Sequence, residues 1–395
     1  MPKSTQTSLT VLGVESSCDE TAVAVVRRHD SGEVEVLSSV IHSQVVKHAE
    51  FGGVVPEIAA RSHVETIDDL ARRALSDAGE PELDAVAATA GPGLIGGVMV
   101  GLSFAKGFAL ARNLPLIPVN HLEGHALSAR LTEDVAFPFL LLLVSGGHCQ
   151  LLAVKDVGDY ERLGTTIDDA AGEAFDKIAK VLGLGYPGGP ALERAAATGD
   201  ATRFVLPRAL LGRKDCDFSF SGLKTAAALL AYEHVKTEQD RNDLCACVQA
   251  AITRQLVERS DRAQKAFKTV FKEHNSVTEG PSGQARWGFV VAGGVAANAT
   301  VRRELQALAE RNGFVFVAPP LKYCTDNAAM IALAGLEHFA RLCNKEAWGN
   351  LDPMDRASLV ESGLAAVARP RWPLDEASAH STPVHKKQGR KGAKS

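Results

Sequence analysis

Stretches of hydrophobic residues alternate with short polar turns along the chain, and their spacing predicts a regular series of strands and helices. In the N-terminal half, residues 9–14, 22–26 and 34–41 are apolar runs separated by polar turns, which is typical of three antiparallel strands. Residues 55–78 then have helical spacing, with Pro56 in the first turn. The rest of this half predicts a strand at 84–89, a helix at 98–112, a strand at 114–119 and a helix at 126–131.

The same order of elements recurs in the C-terminal half. Its predicted elements are three strands, a helix, a strand, a helix, a strand and a final helix, at 139–144, 150–154, 160–164, 168–182, 287–292, 299–311, 314–317 and 326–342. Such a repeat over 9–135 and 139–343, with paired glycine-rich turns, describes an α/β chain with the duplicated actin-like ATPase fold (the ASKHA, RNase H-like class). In that architecture two lobes face each other, and a nucleotide lies in the central cleft.

The predicted domain organisation follows this repeat. We assign 9–135 to the first lobe and 136–343 to the second, which contains a largely helical insertion at about 190–273. Residues 275–285 are polar and contain Pro and Gly, so they predict a loop. Residues 375–395 have few apolar side chains and end in a basic run. They predict a solvated, disordered tail, although an arm that attracts phosphate has the same composition.

Composition narrows the class of protein. The 395 residues are 46% hydrophobic and 23% charged, which is typical of a globular chain long enough for two domains. The net charge of -4 gives no global signature of a nucleic-acid-binding protein, but it leaves room for a local basic patch. The seven cysteines include no CxxC pair, the N-terminus has no apolar leader, and no stretch looks long and apolar enough to span a membrane. We therefore predict a soluble, cytoplasmic protein.

The first candidate site is the segment Asn-His-Leu-Glu-Gly-His at 120–125, where a predicted strand meets a predicted helix. His121 and His125 lie four residues apart, so on a helix both imidazoles lie on one face, one turn apart. That spacing allows both to bind one metal ion, although one histidine could cap the helix while the other packs. Their position favours a ligand site, because open α/β sheets bind ligands at the carboxyl ends of strands.

A third metal ligand is usually an acidic residue from elsewhere in the chain. Asp326, in the segment Tyr-Cys-Thr-Asp-Asn at 323–327, is the candidate, although Thr325 or Asp326 could instead cap the final helix. Glu123 lies two residues after His121 and therefore points to another face of the helix. The zinc-peptidase motif H-E-x-x-H is absent, because its glutamate directly follows the first histidine. A peptidase of that class is disfavoured.

Four other stretches have features of an anion or nucleotide site. They are the Ser-Gly-Gly turn within 143–147, the glycine turn that opens a helix at 292–298, the acidic helix start at 168–177 and the rigid turn at 186–190. Backbone amides in glycine turns and at helix N-termini bind anions. Each stretch also has a structural explanation, respectively a hairpin, an N-cap, surface charges and a loop. The sequence contains no Walker A motif and no legible Ser-His-Asp set.

Together these stretches resemble the bacterial form of the tRNA N6-adenosine threonylcarbamoyltransferase family, formerly described as O-sialoglycoprotein endopeptidase or glycoprotease. The resemblance rests on motifs that follow one another from about residue 9 to 373, namely GVESSCDETAV, EIAARSHVE, TAGPGLIGGVMVG, NHLEGHALSAR, LLVSGGHCQL, TIDDAAGEAFDKIAK, YPGGP, DFSFSGLKT, VAGGVAANATVRREL and YCTDNAAMIA. The departures are Leu122 where many members have Met, a longer loop near 275–285, and the added C-terminal tail.

The resemblance implies an acyltransferase with one divalent metal ion per subunit, Fe²⁺ in preference to Zn²⁺, held by His121, His125 and Asp326. The implied reaction transfers the threonylcarbamoyl group from L-threonylcarbamoyl-AMP to N6 of adenosine 37, in tRNAs that read codons starting with A, and releases AMP. The residues implied to hold the adenylate are Leu143, Val144, Ser145, Gly146, Gly147, Asp176, Gly189, Glu193 and Asn298.

The chemistry of these residues fits that reaction. An exocyclic adenine amine is a poor nucleophile, and a metal ion can polarise the carbonyl that it attacks. Glycine-turn amides can hold a phosphate without a charged side chain. Because AMP is already an activated leaving group, no strong enzyme nucleophile is needed. The acceptor of the amine proton is left open between Asp19, Glu20, Glu173 and the leaving phosphate, so no catalytic residue is assigned.

The resemblance also implies partners besides tRNA, namely a catalytically inactive paralogue of the same fold and a small P-loop ATPase. The helix at 55–78 could form that interface, or it could simply face the core. Arg213, Lys214 and Lys224 are hypothetical contacts to tRNA phosphates, with ordinary surface charges as the alternative. Three other functions compete with the transferase: a metallopeptidase, a sugar kinase or ATPase of the same fold, and a nucleotide-dependent scaffold. The scaffold would lack the histidine pair and Asp326.

Overall fold

The computed structural model describes residues 8–51, 53–272, 278–279, 285–342 and 352–376. These residues form two mixed β-sheets, with helices packed between the sheets and on their outer faces. Both sheets have the same strand order and the same mixture of antiparallel and parallel pairs. The chain therefore has a duplicated, two-lobed α/β fold, which confirms the predicted fold class.

The first sheet is formed by residues of the N-terminal half. Its strands are β1 (Leu9–Glu15), β2 (Glu20–Arg28), β3 (Val34–Ser43), β4 (Ala85–Gly91) and β5 (Leu116–Asn120). They lie in the order β3-β2-β1-β4-β5, in which β1, β2 and β3 pair antiparallel while β4 and β5 extend the sheet in parallel. Every residue of β1 and β4 is buried, as expected for strands that are covered by helices on both faces.

The second sheet repeats this topology. Its strands are β6 (Phe139–Val144), β7 (Cys149–Asp156), β8 (Asp159–Thr165), β9 (Thr278–Glu279), β10 (Ala285–Ala292) and β11 (Phe314–Val317). The main order is β11-β10-β6-β7-β8, and the short β9 pairs with β10. Strands β6, β7 and β8 pair antiparallel, whereas β10 and β11 continue from β6 in parallel. The predicted repeat of three antiparallel strands followed by two further strands is therefore present in both halves, and the structure shows that the two further strands are parallel.

Helices cover the outer faces of both sheets. The helices of the described residues are α1 (Val45–Ala49), α2 (Pro56–Asp77), α3 (Ile95–Arg112), α4 (His121–Leu127), α5 (Ala171–Val181), α6 (Gly188–Ala196), α7 (Ser221–His234), α8 (Glu238–Val270), α9 (Ala299–Arg311), α10 (Ala328–Leu342) and α11 (Pro353–Leu364). Helices α2 and α3 pack on the first sheet, and α8 and α9 pack on the second. The predicted insertion contains α7 and α8, whose apolar side chains join the core of the second sheet.

Helices α4 and α10 lie between the two sheets. One apolar cluster joins side chains from both sheets with side chains of α10, for example Val11, Leu141 and Ile331. Every residue of α10 from Ala328 to Glu337 is buried, which explains why this helix is apolar on all sides. Helix α10 contacts β1, β2, β4 and β5, although it follows the second sheet in sequence. The assignment of residues 326–342 to the second lobe stays a prediction.

Residues 352–376 run from the first sheet to the second. Helix α11 packs against β5 and α3, and the backbone N–H of Arg369 donates to the carbonyl of Ala90 at 2.7 Å. Asp375 is buried, and its carboxylate lies 3.2 Å from Nε of Arg162 on β8. The other residues of the predicted tail, 377–395, lie outside the described residues, as does most of the predicted loop at 275–285.

Helix α3 contradicts the expectation that no stretch of the chain is long and apolar enough to span a membrane. Its 18 residues have a mean hydropathy of 1.3, so by length and composition it is apolar enough to cross a membrane. It packs against α2 and β4, and 33% of the helix is buried in the chain. Core helices of soluble proteins meet the same criterion.

Candidate metal and nucleotide site

The candidate residues follow the carboxyl ends of strands in both sheets. Glu15 ends β1 and His121 follows β5, and Oε2 of the glutamate lies 2.9 Å from Nδ1 of the histidine. Val144 ends β6 and Gly293 follows β10, and their backbones touch. Neighbouring parallel strands bring their carboxyl ends to one edge of a sheet, so each sheet contributes one cluster to the region between the lobes.

The two histidines are held by the start of helix α4. Asn120 caps this helix, because its side-chain oxygen accepts from the N–H of Leu122 at 2.9 Å. His121 and His125 are both buried, and their ring centroids lie 4.8 Å apart with the ring planes at 86°. Neither histidine caps the helix, which contradicts the alternative in which one histidine caps and the other packs.

Asp326 completes a group of three possible metal ligands. Its Oδ1 lies 3.0 Å from Nε2 of His125 and 3.6 Å from Nε2 of His121. The ligand atoms of the three residues all lie within 4.8 Å of one another. The cap of helix α10 is Asn327, whose side-chain oxygen accepts from the N–H of Met330 at 3.0 Å. Asp326 is therefore free to face the histidines, and the alternative of a capping role is wrong.

The arrangement of His121 fits metal binding on structural grounds. Its Nδ1 faces Glu15, so its Nε2 is directed toward Asp326. Glu15 is fully buried, and its oxygens accept from the N–H of Ser17 and the hydroxyl of Thr89, both at 2.6 Å. A carboxylate behind a histidine is a common device for orienting a metal ligand. The sequence reasoning missed Glu15, although an acidic residue that ends an apolar strand was a usable signal.

Opposite charges set the pKa values of this group. Burial lowers the pKa of His121, but the negative charges of Glu15 and Asp326 outweigh burial and raise it to about 9. Burial raises the pKa of Glu15, but the charge and hydrogen bond of His121 bring it below its usual value. Two buried carboxylates thus face His121, and this negative environment is suited to a positive charge at the centre of the site.

His148 belongs to the same neighbourhood and was not selected from the sequence. It follows the Ser-Gly-Gly turn, where its N–H lies 3.2 Å from Oγ of Ser145. Burial, followed by the charges of His121 and His125, lowers the pKa of His148 to about 4. Its imidazole is therefore neutral at pH 7. Glu20, the first residue of β2, also lies near this cluster. Burial, followed by the charge of Asp326, raises the pKa of Glu20 to about 10.

The predicted phosphate turn is formed by backbone rather than by side chains. Leu143 and Val144 are fully buried in β6, whereas Gly146 and Gly147 are exposed. Gly293 has φ of +94°, and a Cβ at this position would lie 2.5 Å from the carbonyl oxygen of Val144. Only glycine fits this conformation and this approach, so the two glycine turns are held side by side.

The other residues implied to hold the adenylate connect three helices near this turn. Asp176 on α5 accepts from the N–H groups of Gly188 and Gly189 at 2.9 and 3.2 Å. Glu193 on α6 accepts from the N–H of Ala299 at 2.8 Å, at the start of α9. Asn298 caps α9, and its amide donates to Gln249 at 2.9 Å. The structural role proposed for Asn298 is present, and binding of a ligand by this set stays a prediction.

The hypothetical RNA contacts are mostly engaged within the protein. Arg213 forms ion pairs with Asp215 and Asp217, and Lys224 lies 2.8 Å from Asp169. Lys214 is exposed. A role of these three cations in tRNA binding stays a prediction.

Helix α2, for which the sequence allows either a partner interface or a core-facing role, has one buried face and one exposed face. Ile67 is buried against the first sheet, whereas Val64 remains 64% exposed. Helix α3, which packs beside α2, exposes Ile95 and Met99. The helix therefore buries one face and leaves an apolar strip beside α3 open.

Comparisons with known proteins agree on one family. A family model described as tRNA N6-adenosine threonylcarbamoyltransferase matches residues 35–333. The protein of that name from Caulobacter vibrioides is 63% identical over 391 residues, which cover 98% of both chains. The protein of that name from Maricaulis maris is 56% identical over 396 residues, which cover 100% of this chain and 98% of that one.

A solved structure extends the agreement to the fold. The crystal structure of T. kodakarensis HypF aligns with a TM-score of 0.53 and 14% identity, over 86% of this chain and 49% of that one. At this identity the likeness concerns the fold alone.

Proposed function

The chain belongs to the tRNA N6-adenosine threonylcarbamoyltransferase family and is a transferase that modifies tRNA, and on that premise we propose the following reaction. The threonylcarbamoyl group moves from L-threonylcarbamoyl-AMP to N6 of adenosine 37 in tRNAs that read codons starting with A, and AMP leaves. The observation that carries the proposal is that His121, His125 and Asp326 converge beside a backbone turn suited to phosphate.

We propose that these three residues hold one divalent metal ion, Fe²⁺ in preference to Zn²⁺. Two imidazoles and one carboxylate are a donor set that both ions accept, with coordination positions left for a substrate. When bound, such an ion supplies Lewis acidity toward a carbonyl or phosphate oxygen. Glu15 holds the ring of His121 so that Nε2 faces the centre of the site.

The second lobe would bind the adenylate. In the turn from Ser145 to Gly147, the N–H of Ser145 already donates to the carbonyl of His148 at 2.8 Å, which fixes the turn. The amides of Gly146 and Gly147 would then supply donors for the phosphate without reorganisation of the turn. Asp176, Gly189, Glu193 and Asn298, which connect α5, α6 and α9, would bind the rest of the nucleotide. AMP is a good leaving group, so positioning and polarisation of the carbonyl are the main tasks of the site.

We also propose a binding surface for the partners that the resemblance implies. The strip formed by Val64, Ile95 and Met99 is apolar and lies on the first lobe. We propose that the inactive paralogue of the same fold packs on this strip, and that the small P-loop ATPase binds the resulting complex. All of these reactions would take place in the cytoplasm, together with the tRNA.

A peptidase reaction has no support in the geometry. Both oxygens of Glu123 are already bonded, one to Gly158 and Tyr160 and the other to His338. This glutamate therefore cannot activate a water molecule at the histidine pair.

The test is mass analysis of tRNA nucleosides after incubation with the protein, its bacterial helpers, threonine, bicarbonate and ATP. We expect the modified adenosine with wild type and at least a hundredfold less with His125→Ala, because the metal site loses a ligand. His29→Ala is the control, since His29 pairs with the half-exposed Glu35 at 3.0 Å on the surface. Absence of product with wild type, when the helpers support a known transferase, would refute the proposal.

A further inference from the structure

Glu123 lies between the two candidate metal ligands on α4 but faces away from them. Its Oε1 accepts from the N–H of Gly158 at 2.9 Å and from the hydroxyl of Tyr160 at 2.7 Å. Its Oε2 lies 2.7 Å from Nε2 of His338. Glu123 and Tyr160 are both buried, so these bonds are made in an environment where leaving the carboxylate without partners would be costly.

The partners of Glu123 come from two different elements. Gly158 lies in the tight turn between β7 and β8, and Tyr160 is the second residue of β8, so both belong to a hairpin of the second sheet. His338 belongs to α10, the helix that begins next to Asp326. One side chain therefore connects the histidine-bearing helix to a hairpin of the other sheet and to the helix that begins next to the third ligand.

The crossing of α4 and α10 explains what this connection controls. The helices pack tightly at Gly124, where a Cβ would lie 2.8 Å from Cδ1 of Ile331. His125 reaches Asp326 at one end of α10, while Glu123 reaches His338, 12 residues further along the chain. From Ala328, the first residue of α10, to His338 the helix rises by about 15 Å. Helix α4 is thus attached to α10 on both sides of the crossing point.

Small rotations of α4 matter for a metal site. The helix has only seven residues, so its own hydrogen bonds do little to fix its orientation. Side-chain ends lie about 5.5 Å from a helix axis, so a rotation of about 20° moves them by about 2 Å. Metal–ligand distances tolerate deviations of only about 0.2 Å. An anchor on the face opposite the histidines therefore decides whether both imidazoles meet Asp326.

We propose that Glu123 is a positioning residue of the metal centre, which fixes the rotation of α4 by binding the β7–β8 turn and His338. This inference rests on the proposed metal site at His121, His125 and Asp326. It gives the glutamate of the NHLEGH motif a role that is neither ligand nor catalytic base, and it makes the geometry of a site in one lobe depend on a hairpin of the other.

The experiment titrates metal-free protein with Co²⁺ and records the visible absorption bands, which report both affinity and ligand geometry. For Glu123→Ala we expect a Co²⁺ dissociation constant that is about 10- to 100-fold higher, the range for residues that orient metal ligands, with altered bands. Glu123→Gln keeps an acceptor for Gly158 and Tyr160, so we expect recovery to within about threefold of wild type. Tyr160→Phe removes one of the three bonds, and we expect a smaller loss, of about three- to tenfold.

The control is Lys155→Ala on the same hairpin. Lys155 forms an ion pair with Glu161 at 2.8 Å, and both side chains are more than one-third exposed. We expect unchanged Co²⁺ affinity and unchanged bands, since exposed pairs contribute little.

The outcomes separate the inference from the proposal on which it rests. If His125→Ala binds Co²⁺ as wild type does, the proposed metal site is wrong. If His125→Ala loses Co²⁺ but Glu123→Ala keeps the affinity and bands of wild type, and only its melting temperature falls, Glu123 is a stabilising residue and the inference is overturned. Should Glu123→Ala not fold, Tyr160→Phe decides alone: an unchanged dissociation constant for Co²⁺ rejects the role.

Discussion

The two sides of the candidate site are built from different materials. The metal side consists of side chains: His121, His125 and Asp326 converge, and Glu15 contacts His121 from behind. Glu123, on the same helix as the histidines, binds the β7–β8 turn instead. On the proposed nucleotide side, the groups available to a ligand are mainly backbone amides. The polar side chains there mostly cap helices and join loops. The first cluster depends on orientation of flexible groups, and the second depends on how closely two main chains can approach.

This difference predicts which changes each side tolerates. A buried side-chain cluster fails when one member is removed, because its neighbours are left as uncompensated charges. A backbone turn instead fails when a glycine gains a side chain, whereas the amides themselves cannot be mutated away. If the two sides are separate modules, damage to one should leave binding at the other intact.

Removal of the metal is expected to have the largest effect. We predict that treatment of the wild-type protein with a chelator reduces threonylcarbamoyl transfer at least a hundredfold, because the carbonyl is no longer polarised. Affinity for AMP, measured by calorimetry, should change by less than about threefold, because all the proposed nucleotide contacts come from the second lobe and none from the metal ligands. Loss of AMP binding together with the metal would show that the two sides form a single site and are not separate modules.

The reciprocal change is Gly293→Ala on the nucleotide side. This residue has φ of +94° and ψ of 165°, and the added Cβ would lie 2.5 Å from the carbonyl oxygen of Val144. We expect a loss of about 2–3 kcal/mol in the free energy of unfolding, since this conformation is nearly restricted to glycine. AMP affinity should fall tenfold or more, while Co²⁺ affinity stays within about threefold of wild type.

A second glycine provides the control for this experiment. Gly107, in the exposed face of α3, has open space around its Cα. Gly107→Ala should leave both affinities unchanged and raise stability by up to about 1 kcal/mol, the helix-propensity difference. Equal effects of the two substitutions on AMP binding would contradict the role given to Gly293.

Much of the fold could be predicted from the sequence because the patterns that indicate strands, helices and turns are local. Apolar runs such as 139–144 and the glycine turns that follow strands fix element type, and the repeat of their order fixes topology. The histidine pair was legible for the same reason, since four-residue spacing on a helix places both rings together. Asp326 was a candidate by residue type, but the contact with His125 needed a fold that brings together positions 201 residues apart.

Other features could not be predicted because they depend on packing between distant elements. No local pattern indicates that α10 crosses to the first sheet, or that Glu123 meets His338 across 215 residues. Glu15 was legible only as an acidic residue at a strand end, and its partner His121 is 106 residues away. The alternative roles of Asp326 and Asn298 as caps were equally local, and only the hydrogen bonds of α10 and α9 decided between them.

The smallest predicted effect is a pH dependence of the free energy of unfolding, which tests whether the pair of Glu123 and His338 is charged or neutral. Burial lowers the pKa of His338, but the hydrogen bond and charge of Glu123 outweigh it, so the net shift is upward. The stabilisation from this pair should therefore be complete below about pH 6.5, the unfolded value, and should be lost as the pH rises through the higher folded value. Because His338 is partly exposed, we expect only about 0.5 kcal/mol. The measurement is the difference in free energy of unfolding between wild type and His338→Gln, from pH 5.5 to 9. A difference that grows with pH would mean that the pair is not charged in the folded protein, and a constant difference would mean that the metal side, like the nucleotide side, is anchored by neutral hydrogen bonds.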